Sequence, residues 1–396
     1  MKTEPLLFDK LLEPINDLLE QLDAEPISQA AEKLKYRIFI RVLLFRLFGQ
    51  IRSLRDLVLD LKTNLAVPLL GLPTLGLSTL HDGFSRYPVE WVIRSIKHLQ
   101  ANHSLNEIDE LQALGQIWAV DSSHWPIVRR LSWLRSQNLT GIRLHLGLSL
   151  NRLCPDTIAL TYDQAPSSSE RASLLEMAQA GITYVADRGY LGIRLYRELM
   201  ERGAFFIIRE LSCPRFRVLC ELPVDSHDCL QHLTAISDQI IKLTRDPNGT
   251  ILRMISFTIG RHQFRLMTNR FDLPTWQITI IYAWRWQVEL IFRAWKHTLG
   301  GLHLINLSEA GVCTQLYLLL LASLLWTRLE QMAEAQSPAA DSKPKTPTDS
   351  KKADSITAQL SRVFQTPWRL LRKALRICAN CLAQCFSFYL RERSRL

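Results

Sequence analysis

The sequence lacks the features of secreted and membrane-spanning proteins. Its most apolar run, Leu316 to Trp326, is much shorter than the roughly 18 apolar residues that a membrane-spanning helix needs. The first residues, Met1 to Pro5, lead into an amphipathic stretch and not into the apolar core of a secretion signal. We therefore expect no secretion and no membrane partner, and we interpret Leu316 to Trp326 as a buried helix.

Cysteine is too sparse and too scattered to suggest a disulfide framework. The chain has eight cysteines in 396 residues, which we interpret as reduced and cytoplasmic. Three of them, Cys378, Cys381 and Cys385, have helical spacing, but a fourth zinc ligand at a sensible distance is missing. We favour small buried side chains on a helix face over a zinc site.

Acidic residues are outnumbered. Lys and Arg total 48 against 38 Asp and Glu, which gives a net charge of +10 and a pI near 9.3. An excess of this size suggests a polyanionic partner, because Lys and Arg that neutralise phosphates release counterions. A merely soluble basic protein is the alternative. Because 47% of the residues are hydrophobic, the chain can bury a core without disulfides or metals.

The pattern of apolar residues and turn formers divides the chain into six segments, with no internal repeats. We predict a mixed α/β fold whose parts are an all-helical N-terminal segment (1–112), a first part of an α/β core (113–210), a β-rich insertion (211–271), a second part of the core (272–335), a flexible linker (336–355) and a basic helical tail (356–396). A helix predicted from Ser28 to Gln50 carries five basic residues: Lys33, Lys35, Arg37, Arg41 and Arg46. A solvated helix face and a DNA-reading face explain them equally well.

Two aspartates follow predicted strands of the core. The predicted strands are Ile117–Asp121, Ile142–Leu150, Thr157–Tyr162, Ile182–Ala186 and Ala204–Ile208, with helices over 167–180 and 191–202. Asp121 ends the first strand and Asp187 follows the fourth. Open α/β sheets bind ligands at the carboxyl ends of their strands. Each aspartate by itself is equally typical of an ordinary turn.

The insertion and the helix after it complete the pattern. Strands are predicted over 216–222, 240–244, 251–259 and 263–267, with a hairpin turn at Asp246-Pro247-Asn248-Gly249. A long helix is predicted from Pro274 to Leu299. Its polar residues Tyr282, Arg285, Glu289, Arg293 and Lys296 fall on one stripe, opposite Trp284, Val288, Ile291, Trp295 and Leu299. For an arbitrary helix, a solvated polar face would be the ordinary interpretation.

The spacing of this stripe resembles a family signature. Tyr282, Arg285, Glu289 and Lys296 form Tyr-x2-Arg-x3-Glu-x6-Lys, which resembles the motif of the insertion sequence four family of DDE transposases. Asp187-Arg188-Gly189-Tyr190 resembles the second-aspartate motif of that family, and Asp121 resembles the first. The resemblance covers about residues 115–330. It implies that 113–210 and 272–335 form a ribonuclease-H-like catalytic core, with the β insertion between the second aspartate and the glutamate. It also implies that the helical segment 1–112 is a DNA-binding domain.

The resemblance also implies an activity. Asp121, Asp187 and Glu289 would be catalytic and would bind two Mg²⁺ or Mn²⁺ ions for cutting insertion-sequence ends and for strand transfer into target DNA. The expected contacts to DNA come from five residues: Tyr282, Arg285, Lys296, Arg188 and Arg293. Partners would be double-stranded DNA, in the form of terminal inverted repeats and target, and a second copy of the chain. The implied location is the bacterial cytoplasm, at the nucleoid.

Some details and alternatives stay open at this stage. Family members often form a hairpin with a flipped base, and Trp125, Trp284 and Trp286 are candidates to stack on it. His124 and His145 lie near the first aspartate, but hard oxygen ligands suit Mg²⁺ better, and no role is assigned to them. The alternative functions are a catalytically decayed or repurposed DNA-binding protein, another ribonuclease-H-fold nuclease, or a phosphohydrolase unrelated to DNA.

Overall fold

A computed structural model describes residues 7–26, 34–64, 66–102, 105–125, 133, 141–162, 169–210, 215–224, 230, 233–244, 246–259 and 262–336. The basic tail and almost all of the predicted linker lie outside these residues. So do Cys378, Cys381 and Cys385, so the prediction about them stays untested.

The N-terminal part is helical, as predicted. Its helices are α1 (Leu7–Leu12), α2 (Asn16–Ala24), α3 (Tyr36–Phe48), α4 (Leu54–Thr63), α5 (Ala66–Leu69), α6 (Leu77–Arg86), α7 (Val89–Asn102) and α8 (Asp109–Gln112), with a 3₁₀ turn at Glu13–Ile15. The described part of the helix predicted from Ser28 starts only at Tyr36. Ser53 caps α4 by accepting a hydrogen bond from the backbone N–H of Asp56.

Three arginines of α3 are engaged within the protein. Two form ion pairs with carboxylates of the first two helices, Arg37 with Asp23 and Arg41 with Asp9. Arg46 is 2% exposed and donates hydrogen bonds to the carbonyl oxygens of Ile51 and Gly300. These contacts give the three arginines a structural role, and Arg46 joins α3 to the chain that follows the glutamate-bearing helix.

Nine strands form one mixed sheet. They are β1 (Ile117–Trp125), β2 (Ile142–Ser149), β3 (Cys154–Tyr162), β4 (Thr183–Ala186), β5 (Phe205–Arg209), β6 (Phe216–Glu221), β7 (Thr234–Leu243), β8 (Ile251–Ile259) and β9 (His262–Thr268). The order across the sheet is β3-β2-β1-β4-β5-β9-β8-β7-β6. Strands β1, β4 and β5 are parallel, because helices α9 (Glu170–Met177) and α10 (Ile193–Glu201) make the crossovers before β4 and β5.

The first strand is longer than predicted. β1 continues to Trp125, and it pairs with β2 along its length up to Trp125 opposite Ile142. The prediction that Asp121 ends the strand was therefore wrong. The position is still special, because the parallel neighbour β4 stops at Ala186, opposite Val120. Asp121 is thus the first residue of β1 beyond the end of β4.

The strands of the insertion extend the core sheet. β9 pairs antiparallel with β5, and β8, β7 and β6 follow it outwards. β7 is longer than predicted, since it starts at Thr234. At the predicted turn, Asp246 accepts hydrogen bonds from the backbone N–H groups of Asn248 and Thr250, and Gly249 has a φ of +64°. The turn residues thus explain the β7–β8 hairpin.

Alternate residues of β1 enter two different cores. Ile117, Ala119 and Trp125 belong to a core that includes the N-terminal helices. Trp118 and Val120 belong to a second core with α9 and α10. Side chains of a strand alternate between its faces, so Asp121 belongs to the first face and its neighbour Ser122 to the second.

The predicted long helix is interrupted. It consists of α11 (Thr275–Trp284), α12 (Gln287–Arg293) and a π-helical turn at Ala294–Thr298, and Gly300 follows with a φ of +63°. At the junction, the N–H groups of Arg285 and Glu289 bond to carbonyls three residues earlier, as in a 3₁₀ helix. The polar residues therefore do not form the single continuous stripe that the spacing predicts.

The last described helix, α13 (Glu309–Gln336), is mostly buried. It packs against α7 and β3 and also contacts α1 and α6. Over Glu309–Leu329 it is long and apolar enough to cross a membrane by length and composition, and 72% of that window is buried inside the structure. The helix predicted over Leu316 to Trp326 is thus a core helix that is longer than the apolar run itself.

Candidate active site

Two acids meet at the end of β4. Asp187 directly follows β4, and Asp121 lies beside it on β1, as the register of Val120 opposite Ala186 requires. Both side chains belong to the face of the sheet that carries α11 and α12, by the alternation along each strand. The side chain of Asp121 is 24% exposed and that of Asp187 is 29% exposed. A ligand at the end of the sheet can therefore reach both carboxylates.

Arg285 connects the first aspartate with the glutamate. Its guanidinium lies 3.0 Å from Oε1 of Glu289 and 3.9 Å from Oδ2 of Asp121. The Arg285 side chain is only 9% exposed, whereas Glu289 is 30% exposed. Within the described residues, Nε and Nη1 of Arg285 find no hydrogen-bond acceptor. A buried arginine with spare donors is suited to receive an additional anionic group.

Tyr282 and Arg209 hold the second aspartate. The Tyr282 hydroxyl donates a hydrogen bond of 3.2 Å to Oδ1 of Asp187, and Nη1 of Arg209 lies 3.8 Å from the same oxygen. Arg209 was missed in the sequence. The signal that points to it is its position as the last residue of β5, the parallel strand beside β4. The parallel strands β1, β4 and β5 thus contribute Asp121, Asp187 and Arg209, which lie side by side at the level where β4 ends.

Burial and charge shift the pKa values of this cluster. The pKa of Asp121 is raised to about 6, mainly by burial and to a smaller degree by Glu289 and Glu170, while a hydrogen bond from the backbone N–H of Ser122 and the charge of Arg285 oppose the change. Burial and the charge of Asp187 raise the pKa of Tyr282 to about 12, so the hydroxyl remains a donor at neutral pH. Burial disfavours the charge of Arg285, but Tyr282 and the neighbouring carboxylates hold its pKa above the ordinary value. Three carboxylates thus lie beside two cations, Arg285 and Arg209, which leaves an excess of negative charge in the cluster.

Lys296 lies at the far end of β1. Its ammonium donates to Oγ of Ser123 at 2.6 Å and to the carbonyl oxygen of His124 at 3.0 Å. It also lies 4.8 Å from the ring centroid of Trp125. Burial lowers the pKa of Lys296. The π-helical turn thus directs Lys296 to the strand that bears the first aspartate, a few residues beyond it.

The remaining predicted DNA contacts lie on the surface. Arg188 and Arg293 are both exposed, on the turn after β4 and at the end of α12. Of the predicted set, the structure therefore gathers the three acids, Tyr282 and Arg285 in one place, with Lys296 beside them. It does not bring the two exposed arginines into the same cluster.

The three tryptophan candidates and two histidines differ in exposure. Trp286 is 42% exposed, whereas Trp125 is fully buried and donates its indole N–H to the carbonyl oxygen of Gly301. Trp284 is half-buried. His145 is fully buried with Nε2 2.8 Å from Oγ1 of Thr161, and His124 is exposed on β1. Trp286 is the one of the three tryptophans that offers a free ring face of substantial area.

The three acids match a hard divalent cation in donor type. Mg²⁺ and Mn²⁺ prefer carboxylate oxygens, and Asp121, Asp187 and Glu289 each interact electrostatically with Arg285. In the parts of the chain that the structure describes, no three His, Cys, Asp or Glu residues are close enough to share an ion. Arg285 supplies the balancing charge between Asp121 and Glu289 in this arrangement. The three carboxylates fit a divalent cation in donor type. Binding one ion by all three would require their side chains to move closer together.

Comparison with known proteins gives a family. A model of the transposase DDE domain matches residues 112–325, more than half of the chain. The match starts just before β1 and ends inside α13, so it contains all three acids. It also contains the motif around Glu289.

Similar proteins have names that agree with this match. "Putative transposase y4zB" of Sinorhizobium fredii (strain NBRC 101917 / NGR234) is 24% identical over 208 residues, covering 51% of this chain and 58% of that protein. "Probable transposase for insertion sequence element IS5377" of Geobacillus stearothermophilus is 24% identical over 280 residues, covering 68% and 71%. The chain thus spans less than two thirds of the length of y4zB.

A solved structure with a similar arrangement is the piggyBac transposase synaptic complex with hairpin DNA. The superposition covers 89% of this chain and 87% of that one, with 11% sequence identity and a TM-score of 0.40. Similarity of this degree is too weak to support a conclusion about the fold.

Proposed function

Because this chain belongs to the family of proteins with a DDE transposase domain, we propose that it is the transposase of a bacterial insertion sequence. In this proposal it cuts the ends of the element and joins them to target DNA by a metal-dependent cut-and-paste reaction. The observation that carries the proposal is the cluster of Asp121, Asp187 and Glu289 around buried Arg285 at the carboxyl end of the parallel strands.

The fold supports this assignment. Strands β1 to β5 with helices α9 to α12 would form a ribonuclease-H-like core, in which adjacent β1 and β4 carry the two aspartates. Strands β6 to β9 would be the insertion between the second aspartate and the glutamate. The tail 356–396 would add DNA contacts, because it carries eight Arg and Lys against one Glu. The helical segment 1–112 would add others by its family role, since its own Lys and Arg do not outnumber its Asp and Glu.

Two Mg²⁺ or Mn²⁺ ions would be held by the three carboxylates. When bound, such ions increase the acidity of the attacking water or 3′-hydroxyl and neutralise charge that develops at the phosphate. Asp121 and Asp187 are preorganised for this role by the β1–β4 register. Glu289 reaches the same region from α12, where its exposed fraction of 30% leaves it room to reorient.

The cations around the acids would orient the DNA backbone. Arg285 has two nitrogens without an acceptor, and a DNA phosphate would provide one. Tyr282 keeps Asp187 in place by its hydroxyl hydrogen bond. Lys296 would bind a phosphate further along the strand, and exposed Arg188 and Arg293 would extend this contact surface. In-line displacement at phosphorus depends mainly on such positioning and charge stabilisation.

The proposed partners are double-stranded DNA with the terminal inverted repeats, target DNA, and a second copy of the chain in the DNA-bound complex. Two ends must be brought together for transposition, so a dimer on DNA is the natural unit. The proposed location is the bacterial cytoplasm, at the nucleoid. No small molecule is needed as substrate.

The test is cleavage of labelled DNA that carries the ends of the element, with Mg²⁺ or Mn²⁺, by the wild type and by Glu289→Gln. We expect metal-dependent cuts at the ends with wild type, no cuts with the variant, and equal DNA binding by both. Binding without cutting by either protein would instead indicate a decayed transposase or a repurposed binder. Equal cutting by both would mean that Glu289 is not part of the active site, and metal-dependent cutting without preference for the ends would indicate another nuclease.

A further inference from the structure

A fourth acid, Glu170, lies next to the proposed active site on the other face of the sheet. Glu170 is the first residue of α9, which Ser169 caps by accepting a hydrogen bond of 3.1 Å from the N–H of Ala172. The N-terminus of a helix favours a negative charge. The capped helix start therefore fixes the backbone of Glu170 at the positive end of the helix dipole.

The carboxylate of Glu170 is bound to the strand that carries the first aspartate. Its Oε1 accepts a hydrogen bond of 2.7 Å from Oγ of Ser122, the residue after Asp121. The same oxygen accepts one of 3.1 Å from Nη1 of Arg143 on β2. Ser122 and Asp121 point to opposite faces of the sheet. Glu170 thus holds β1 on one face of the sheet, next to the position where Asp121 interacts with Arg285 on the opposite face.

The other carboxylate oxygen lies against the segment that carries the second aspartate. Gly189 is two residues after Asp187, and a Cβ atom at Gly189 would lie 2.1 Å from Oε2 of Glu170 and 3.1 Å from its Cδ. Gly189 is not among the residues with positive φ. The requirement for glycine here is therefore one of space, namely room for the Glu170 carboxylate. The next residue, Tyr190, is fully buried, so the backbone at Gly189 has little room to move away from the Glu170 carboxylate.

We propose that Glu170 is a positioning residue for the acid triad, because one carboxylate holds the chain after Asp121 and the chain after Asp187 at a fixed separation. This inference rests on the proposed function for the reaction that it serves. Glu170 also lies within electrostatic reach of Asp121. Its negative charge adds to the field that attracts divalent cations to the front face.

The structure predicts that Glu170 and Gly189 act as one unit. Glu170→Ala removes the link, and Gly189→Ala displaces the carboxylate by its new methyl group. We expect each change to reduce kcat for cleavage of the element ends by about 10–100-fold, the range found for groups that orient metal ligands. The double variant should be no worse than Glu170→Ala alone, because the alanine at 189 then meets no carboxylate.

A second readout does not depend on DNA cleavage. Binding of Mn²⁺ alone, followed by electron paramagnetic resonance, should weaken in both single variants and show the same lack of additivity. The KM for DNA should stay near the wild-type value in Glu170→Ala, since Glu170 lies on the face of the sheet opposite the proposed DNA face. Glu170→Gln, which keeps an acceptor oxygen for Ser122, should fold like wild type and recover part of the loss. The matched control is Glu176→Ala, an exposed glutamate on the same helix, which should leave all readouts unchanged.

Additive losses in the double variant would overturn the positioning role, as would unchanged Mn²⁺ affinity in Glu170→Ala and Glu170→Gln. A wild type that binds Mn²⁺ without cutting DNA would contradict the proposed function alone. In that case the Mn²⁺ affinities still test the positioning role of Glu170. Non-additive losses in the double variant would support the role, and additive losses would overturn it.

Discussion

Two buried arginines of this protein have opposite surroundings. Arg253 on β8 pairs with Asp238 on β7, where the side chains are 4% and 0% exposed. Arg285 at the α11–α12 junction pairs with Asp121 and Glu289, whose side chains are 24% and 30% exposed. Both are arginine–carboxylate groups in the interior, yet only one of them is complete.

The cluster around Arg253 has a partner for each charged atom. Its guanidinium donates two parallel hydrogen bonds to Asp238, at 2.9 and 2.6 Å, and further ones to the carbonyl oxygens of Arg270 and Leu273. Asp238 also accepts a bond of 2.7 Å from Oγ1 of Thr275, the first residue of α11. Such a bidentate and fully bonded pair holds the insertion against the start of the glutamate-bearing segment.

In the cluster around Arg285, hydrogen-bond donors of the arginine and negative charge of the carboxylates are left without partners among the described residues. Two guanidinium nitrogens of Arg285 find no acceptor in the described part of the chain, and the three carboxylates outnumber the two cations beside them, Arg285 and Arg209. Unsatisfied buried groups reduce stability, and they are tolerated where a ligand completes them. The comparison teaches that a buried ion pair is a sign of function when its hydrogen bonds are missing, and of architecture when they are all made.

The largest effect is expected at the second aspartate of the incomplete cluster. Asp187→Asn keeps the shape but removes charge where metals would bind, so cleavage should fall by about a thousandfold or more, equivalent to a loss of several kcal/mol of transition-state stabilisation. Gel assays of cleavage and of DNA binding measure this. Binding should persist. A variant that still cuts at a tenth of the wild-type rate would remove Asp187 from the active site.

The complete cluster should respond in stability. Arg253→Met leaves Asp238 buried without its main partner, and the free energy of unfolding should drop by about 3–5 kcal/mol. Denaturant titration followed by circular dichroism measures the drop. If Arg253→Met were as stable as wild type, the architectural interpretation of this pair would be wrong.

Arg285→Met should show the reverse pattern. Cleavage should fall by about 10²–10³-fold, as for loss of one preorganised donor to a developing anion. The free energy of unfolding should change much less than in Arg253→Met, because Asp121 and Glu289 are partly solvated. Parallel kinetics and denaturant titrations of the two methionine variants test the contrast directly. Equal losses of unfolding free energy in Arg253→Met and Arg285→Met would contradict the proposed difference between the two clusters.

The smallest effect is expected when the pH is lowered. Protonation of His145 then places a charge in the interior. Burial, and to a lesser degree Arg143, lowers the pKa of His145 to about 4, against about 6.5 in an unfolded chain. Between these values the unfolded state binds more protons, so stability should fall as the pH decreases from about 6.5 to 4, by roughly 3 kcal/mol at most. His145→Gln should flatten this decline in pH-dependent denaturant titrations. An unchanged slope would mean that other groups cause it.

Much of the fold follows from local sequence patterns. The bounds of β8, the end of β4 at Ala186 and the hairpin turn at Asp246 agree with prediction, because alternation and turn formers determine them locally. The end of β1 was misjudged because it depends on pairing with β2, which the local pattern does not contain.

The site was predictable in its residues and less so in its geometry. The helix is interrupted at Arg285 and Trp286, where the sequence contains no glycine or proline. The spacing of the polar residues therefore predicted one continuous stripe. Arg209 and Glu170 reach the acids through strand order and helix packing. Neither residue belongs to a motif, and tertiary structure alone identifies them.

The long helix α13 has a consequence for how the chain is made. It belongs to the same hydrophobic core as the N-terminal helices and packs against α1, α6 and α7. The ribosome must add about 230 residues after the end of α7 before α13 is complete. At about 5–20 residues per second, this takes roughly ten to fifty seconds. During that interval the newborn N-terminal segment exposes the apolar surface that α13 later covers, and it depends on chaperones or on its own partial packing to avoid aggregation.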